Sequence, residues 1–308
     1  MEDVAHVRGN AWSIIKRLLP LAYFLAASLP HHPFSAYFDK NILIPTGFYP
    51  VQHAADVVSV VILVGVLALG IRVVRIHGSW AINHFGVWFV LFILMYLSDR
   101  YLIVNNIERI HFPQYAILAV LLGLCVRSEP LIFFVTTFAG FLDEFLQYLM
   151  NPIKTNYLDF NDIVLNILGA ALGVAFLLAF RRPAAIEQTT YEKRFRTVFL
   201  ASMAGTALVV VAALALGRIV MLVEHVEQRS VFDIVNGKLS FIMSFERHDQ
   251  FWQKSYFGKV FHVLTLSEGL VAISVLSLAN WVTVGRLKGG LRADGGNRED
   301  RIQNETVR

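Results

Sequence analysis

Long apolar runs separated by short polar stretches dominate the chain. The runs cover Trp12–Leu29, Val57–Val74, Trp80–Ser98, His111–Val126, Leu131–Met150, Asn161–Phe180, Thr197–Gly217 and Val260–Val284. Each approaches or exceeds the roughly 17–20 residues that a helix needs to cross the hydrocarbon core of a bilayer. The pattern predicts an all-α fold: a polytopic bundle of about eight transmembrane helices. In the first run, Lys16 and Arg17 precede Leu18–Leu29, with Ala26 and Ser28 near its end. A signal peptide has that shape, but the length favours a retained first helix. Residues 30–55 carry Pro30, Pro33, Pro45, Gly47 and Pro50, which predicts a loop. His31, His32 and His53 lie in it without other metal-ligand spacing, so they read as solvated. Residues 219–259 are polar and aromatic, and Asn236-Gly237 between apolar residues predicts a hairpin turn. The segment reads either as a cover or partner surface for a site, or as an interfacial aromatic loop. The Gly- and Arg-rich tail 286–308 reads as disordered.

The runs divide the chain into two N-terminal helices with a Pro-rich loop (1–83), a four-helix core (84–180), and two further helices flanking 219–259 (181–285), followed by the tail (286–308). Composition agrees with a membrane setting: 56% of residues are hydrophobic, 16% are charged, and the mean hydropathy is +0.56. The pI near 9.2 reflects Lys and Arg concentrated in the short loops on one side. By the positive-inside rule that side is cytoplasmic, and it includes both termini. No base-reading motif accompanies the basic charge, so no nucleic-acid partner is expected. Cys125 is the single cysteine, which excludes an intramolecular disulfide and a cysteine zinc cage.

Candidate chemistry concentrates at one end of three helices. Gly140, Glu144 and Gln147 share a face at the end of the fifth run. Asp159, Asp162 and Asn166 share a face at the start of the sixth, continued by Gly169 and Gly173. His111 and Tyr115 open the fourth. Glu144 and Asn166 lie about 6–9 Å inside their helix ends at about 1.5 Å per residue. Polar groups at such depth mark a working site or a polar joint. The expectation is an outward-facing pocket with a glycine packing seam below it. Other roles stand beside this one: helix capping for Asp159 and Asp162, interhelical hydrogen bonding for Gln147 and Asn166, solvation for His111, and interfacial anchoring for Tyr115. Asp143 is read as a pairing partner on another face. Arg109 or Lys154 is expected to neutralise some of the acids. No nucleophile elbow, HExxH or Walker loop is present, so no catalytic residue, resident metal or cofactor is assigned.

In order, Ile110-His111-Phe112 with Tyr115, then Glu144-xx-Gln147, then Asp159-xx-Asp162-xxx-Asn166-xx-Gly169-xxx-Gly173 resemble the VanZ-like family of membrane proteins. The resemblance covers about residues 84–180. It departs from the family at Asn156, where an arginine often stands. It implies a multi-pass bacterial envelope protein of the inner membrane, and some relatives are linked to teicoplanin-type glycopeptide resistance. Three functions follow as expectations. The first is binding of a lipid-linked headgroup, an envelope precursor or a glycopeptide among membrane lipids. The second is an intramembrane enzyme modifying an envelope lipid by acid/base or metal-assisted chemistry. The third is a proton-coupled transporter.

Overall fold

A computed structural model describes residues 2–29, 37, 39–77, 80–104, 106–150, 157–180, 190–222, 231–244, 252–255 and 258–284. His31, His32, Lys154, Asn156 and the tail 286–308 lie outside the described residues. So do Phe245, Tyr256 and Phe257 of the aromatic segment. Each predicted apolar run falls wholly or in large part on a helix: α1 Glu2–Ser28, α2 Phe48–His77, α3 Trp80–Tyr101, α4 His111–Leu122, α5 Glu129–Met150, α6 Phe160–Phe180, α7 Thr190–Ala215 and α8 Leu266–Val284. Among the described residues, five are long and apolar enough to cross a membrane: parts or all of α2, α5, α6, α7 and α8. The α4 helix has 12 residues and spans about 18 Å; the 3-10 turn Asn106–Ile110 ahead of it adds about 10 Å.

Sequence and structure differ in three places. The fold is mostly helical rather than all-α, because five short strands among the described residues of 219–262 form two small sheets. Strand β1 (Ile219–Leu222) pairs in parallel with β3 (Lys238–Ser244), which pairs antiparallel with β2 (Phe232–Val235). Strand β4 (Trp252–Lys254) pairs antiparallel with β5 (Val260–His262). Within the predicted loop 30–55, Asp39–Leu43 and Ile44–Thr46 form short helical turns and α2 runs from Phe48 onward. Pro50 falls in the first turn of α2, where its missing N–H has no helical partner to lose. The last apolar run starts as β5, and its helix begins only at Leu266. The Asn236-Gly237 turn is present: φ is +51° and +74°, the pair of positive angles that matches a two-residue turn to strand twist.

The α6 helix is the axis of the bundle. Beyond its polar first two turns it is apolar, and it is buried on nearly all sides, packed by α3, α4, α5 and, at its first turn, by Gly269 of α8 against Phe160. By contrast, α2 and α7 expose long apolar rows such as Val57, Val61, Val64 and Val198, Leu208, Val209. Surfaces of that extent suit lipid rather than water.

The sheets sit at one end of this bundle. Tyr148 on α5 donates to the Ile242 carbonyl at 2.9 Å, and Phe241 packs against Phe145 and Tyr148. Part of the aromatic content of 219–259 thus seats the sheet on α5. Asn161, on the first turn of α6, holds the same end together. Its amide donates to Leu102 O at 3.0 Å and His262 O at 2.7 Å, and its oxygen accepts from Leu264 N at 3.0 Å. Asn161→Ala strands these backbone groups at a buried joint. The expected cost is about 2 kcal/mol or more, read as a lower thermal unfolding midpoint in detergent.

Candidate functional site

The acidic end of α6 begins with a cap. Asp159 Oδ1 accepts from Asn161 N at 2.8 Å, and Oδ2 accepts from Tyr157 OH at 3.0 Å. The capping role expected for Asp159 is therefore present. Burial, and then the neighbouring charge of Asp162, push its carboxyl up to about 7, against the pull of these hydrogen bonds.

Beyond the cap, Asn166 of the predicted stripe meets α5, while Asp162, Gly169 and Gly173 face α4. Gly169 and Gly173 let the two backbones touch. A Cβ on Gly169 would lie 2.7 Å from Phe112 O and 2.9 Å from His111 O, and one on Gly173 would lie 2.7 Å from Ala119 Cβ. Glycine is required here because of what it lets approach. The seam also fixes the depth of His111, whose carbonyl rests on Gly169 while its Nε2 lies 3.7 Å from Asp162 Oδ2. The α5 helix closes in the same way. A Cβ on Gly140 would lie 2.7 Å from Asn166 Cβ. That approach brings the Asn166 amide to 3.3 Å from Gly140 O and 3.4 Å from Glu144 Oε1. Gln147 donates to the same Glu144 oxygen at 3.3 Å.

His111 from α4, Glu144 from α5 and Asp162 from α6 thus meet. One ligand-type atom of each lies within 4.8 Å of the others. Of the residues singled out from sequence, His111, Tyr115, Glu144, Gln147, Asp162 and Asn166 join this cluster, and Asp159 forms its edge. The interhelical hydrogen bonding read for Asn166 is present within the site itself, whereas Gln147 bonds to Glu144 one turn away on its own helix.

Several expectations change. His111 is buried rather than solvated, and Tyr115 is buried at 1% exposure rather than anchored at an interface. Tyr115 OH donates to Asp143 Oδ2 at 2.7 Å. Asp143, set apart by sequence on another face, is 0% exposed and belongs to the cluster. The buried face of α5 includes Thr136, Gly140, Asp143, Glu144 and Tyr148, wide enough to hold both acids. That spacing is the signal that places Asp143. Arg109 does not neutralise these acids. It pairs with Asp99, its Nε 2.6 Å from Oδ1, and with Asp56 on α2. The expected open pocket is instead a closed cluster. Glu144 and Asn166 are buried, and the Asp162 side chain, 19% exposed, forms the rim with Gln147. Hydrogen bonding draws the polar groups together because buried polar groups need partners. The joint made by Asn161 and the Asp56–Arg109–Asp99 group were not singled out from sequence; their partners are far apart along the chain.

Comparison with family models, curated proteins and solved structures finds no match to this chain.

Proposed function

We propose that the chain is a VanZ-like integral membrane protein of the bacterial inner membrane, crossing it about eight times with both termini cytoplasmic. Its polar cluster binds the headgroup of a lipid-linked envelope precursor or a glycopeptide-type ligand from the outward side, in keeping with a link to teicoplanin-type resistance. The observation that carries this reading is the convergence of His111, Glu144 and Asp162 from three helices, with Asp162 and Gln147 at the rim. Groups bound to a cluster rich in Asp and Glu are hydrogen-bond donors: sugar hydroxyls, amides or amines. The basic short loops support an outward orientation for the acidic end.

Glu144→Gln keeps the side-chain volume and removes the charge. Native mass spectrometry of the purified protein is expected to show an envelope lipid bound to the wild type and at least a tenfold lower occupancy in the variant. Equal lipid profiles would remove the reading. A second reading, an intramembrane enzyme, draws on the His111–Asp162 approach of 3.7 Å, which suits general acid–base work. Glu144-dependent turnover of a polyprenyl phosphate or lipopolysaccharide-type substrate would favour it.

A further inference from the structure

We propose that His111, Glu144 and Asp162 bind a single divalent cation of the zinc or manganese class. Their ligand-type atoms lie within 4.8 Å of one another. Around an ion with bonds of about 2.0–2.2 Å, tetrahedral ligand atoms sit about 3.4 Å apart. The His111–Asp162 pair is at 3.7 Å, so closing on an ion needs side-chain shifts of an ångström or so rather than a new backbone. One imidazole and two carboxylates form a mixed N/O set. Zinc and manganese accept such a set, whereas magnesium and calcium favour oxygen alone.

A second observation points to a cation. Asp143 is fully buried, and among the described residues its Oδ1 has no hydrogen-bond partner. It borders the same cluster: it precedes Glu144 on α5, and its partner Tyr115 stacks with His111 at 6.5 Å between ring centroids. Arg109 is committed to Asp56 and Asp99 and does not supply the missing positive charge. A dication offsets the cost of gathering Asp143, Glu144, Asp159 and Asp162 at one depth. The surroundings also resemble an outer coordination shell. Gln147 and Asn166 hold Glu144 through their amides, and Tyr115 holds Asp143.

Three protein ligands leave a coordination position open. Resting on the headgroup reading above, that position would take an anionic oxygen, such as a phosphate, which carboxylates alone repel. The cation site itself does not depend on that reading.

The test uses untagged full-length protein in detergent, stripped with a chelator and dialysed against Zn²⁺ or Mn²⁺. Elemental analysis is expected to give about one ion per chain. Titration should show His111→Ala and Asp162→Asn weakening binding at least tenfold, with Mg²⁺ and Ca²⁺ failing to compete. Visible bands of bound Co²⁺ in the wild type report the same ligands without relying on a variant that must fold. Substoichiometric metal on the wild type, or binding unchanged by both substitutions, overturns the site. Lipid occupancy, measured in parallel on the stripped protein, reports separately on the headgroup reading: lipid bound with substoichiometric metal on the dialysed protein would sink only the cation, and stoichiometric metal without lipid would sink only the headgroup reading.

Discussion

Gly173→Leu is expected to destabilise the protein by about 3 kcal/mol or more. Even a methyl group at this position would sit 2.7 Å from Ala119 Cβ and 2.9 Å from Ala116 Cα, and closer still to the Ala116 carbonyl. Most of these obstructions are α4 backbone, so no rotamer change relieves them. Helices in lipid gain little from the hydrophobic effect against one another, and close backbone packing supplies much of their association. Separating α6 from α4 would also withdraw Asp162 from His111. Unfolding in detergent should therefore shift strongly, and any metal or lipid retention should fall with it. Gly205→Leu on the exposed face of α7 is the control. Nothing lies within 4 Å of a Cβ there, and its effect should stay within about 0.5 kcal/mol.

Tyr115→Phe should cost about 1–3 kcal/mol, because it strips Asp143 of its 2.7 Å hydrogen bond at 0% exposure. The carboxyl would then be buried without a partner for either oxygen among the described residues. The mechanism is tested by a double-mutant cycle in the same unfolding assay. In an Asp143→Leu background, Tyr115→Phe should cost almost nothing, since no polar group remains to be stranded. Equal costs in both backgrounds would assign the tyrosine a packing role alone.

Much of this organisation was legible in the sequence, for identifiable reasons. Apolar run length placed the helices, because a membrane-scale helix needs an uninterrupted stretch. The Asp162, Asn166, Gly169, Gly173 spacing placed one side of α6 against neighbours: Asp162 and the glycines meet α4, and Asn166 meets α5. The Asn236-Gly237 pair marked its hairpin because both residues tolerate positive φ. Other features depended on contacts between distant residues. Arg109 stands two residues before His111, but Asp56 and Asp99 pair with it instead of the clustered acids. Asp143 does act as a pairing partner, for Tyr115, but it lies in the cluster rather than apart from it, because the face α5 buries is wider than a single stripe. The strands between α7 and α8 are short and lack sustained alternation, and their pairing rests on seats provided by Tyr148 and Asn161. The closure of the cluster likewise follows from hydrogen bonds among three helices, which spacing along one of them does not reveal.

The most direct test of a ligand-binding cluster is an experimental density map of the full-length protein in a lipid nanodisc, inspected beside Glu144. The account predicts non-protein density reaching the rim between Asp162 and Gln147, absent from the same map of Glu144→Gln. A site filled only by the protein's own side chains, alike in both maps, would contradict it.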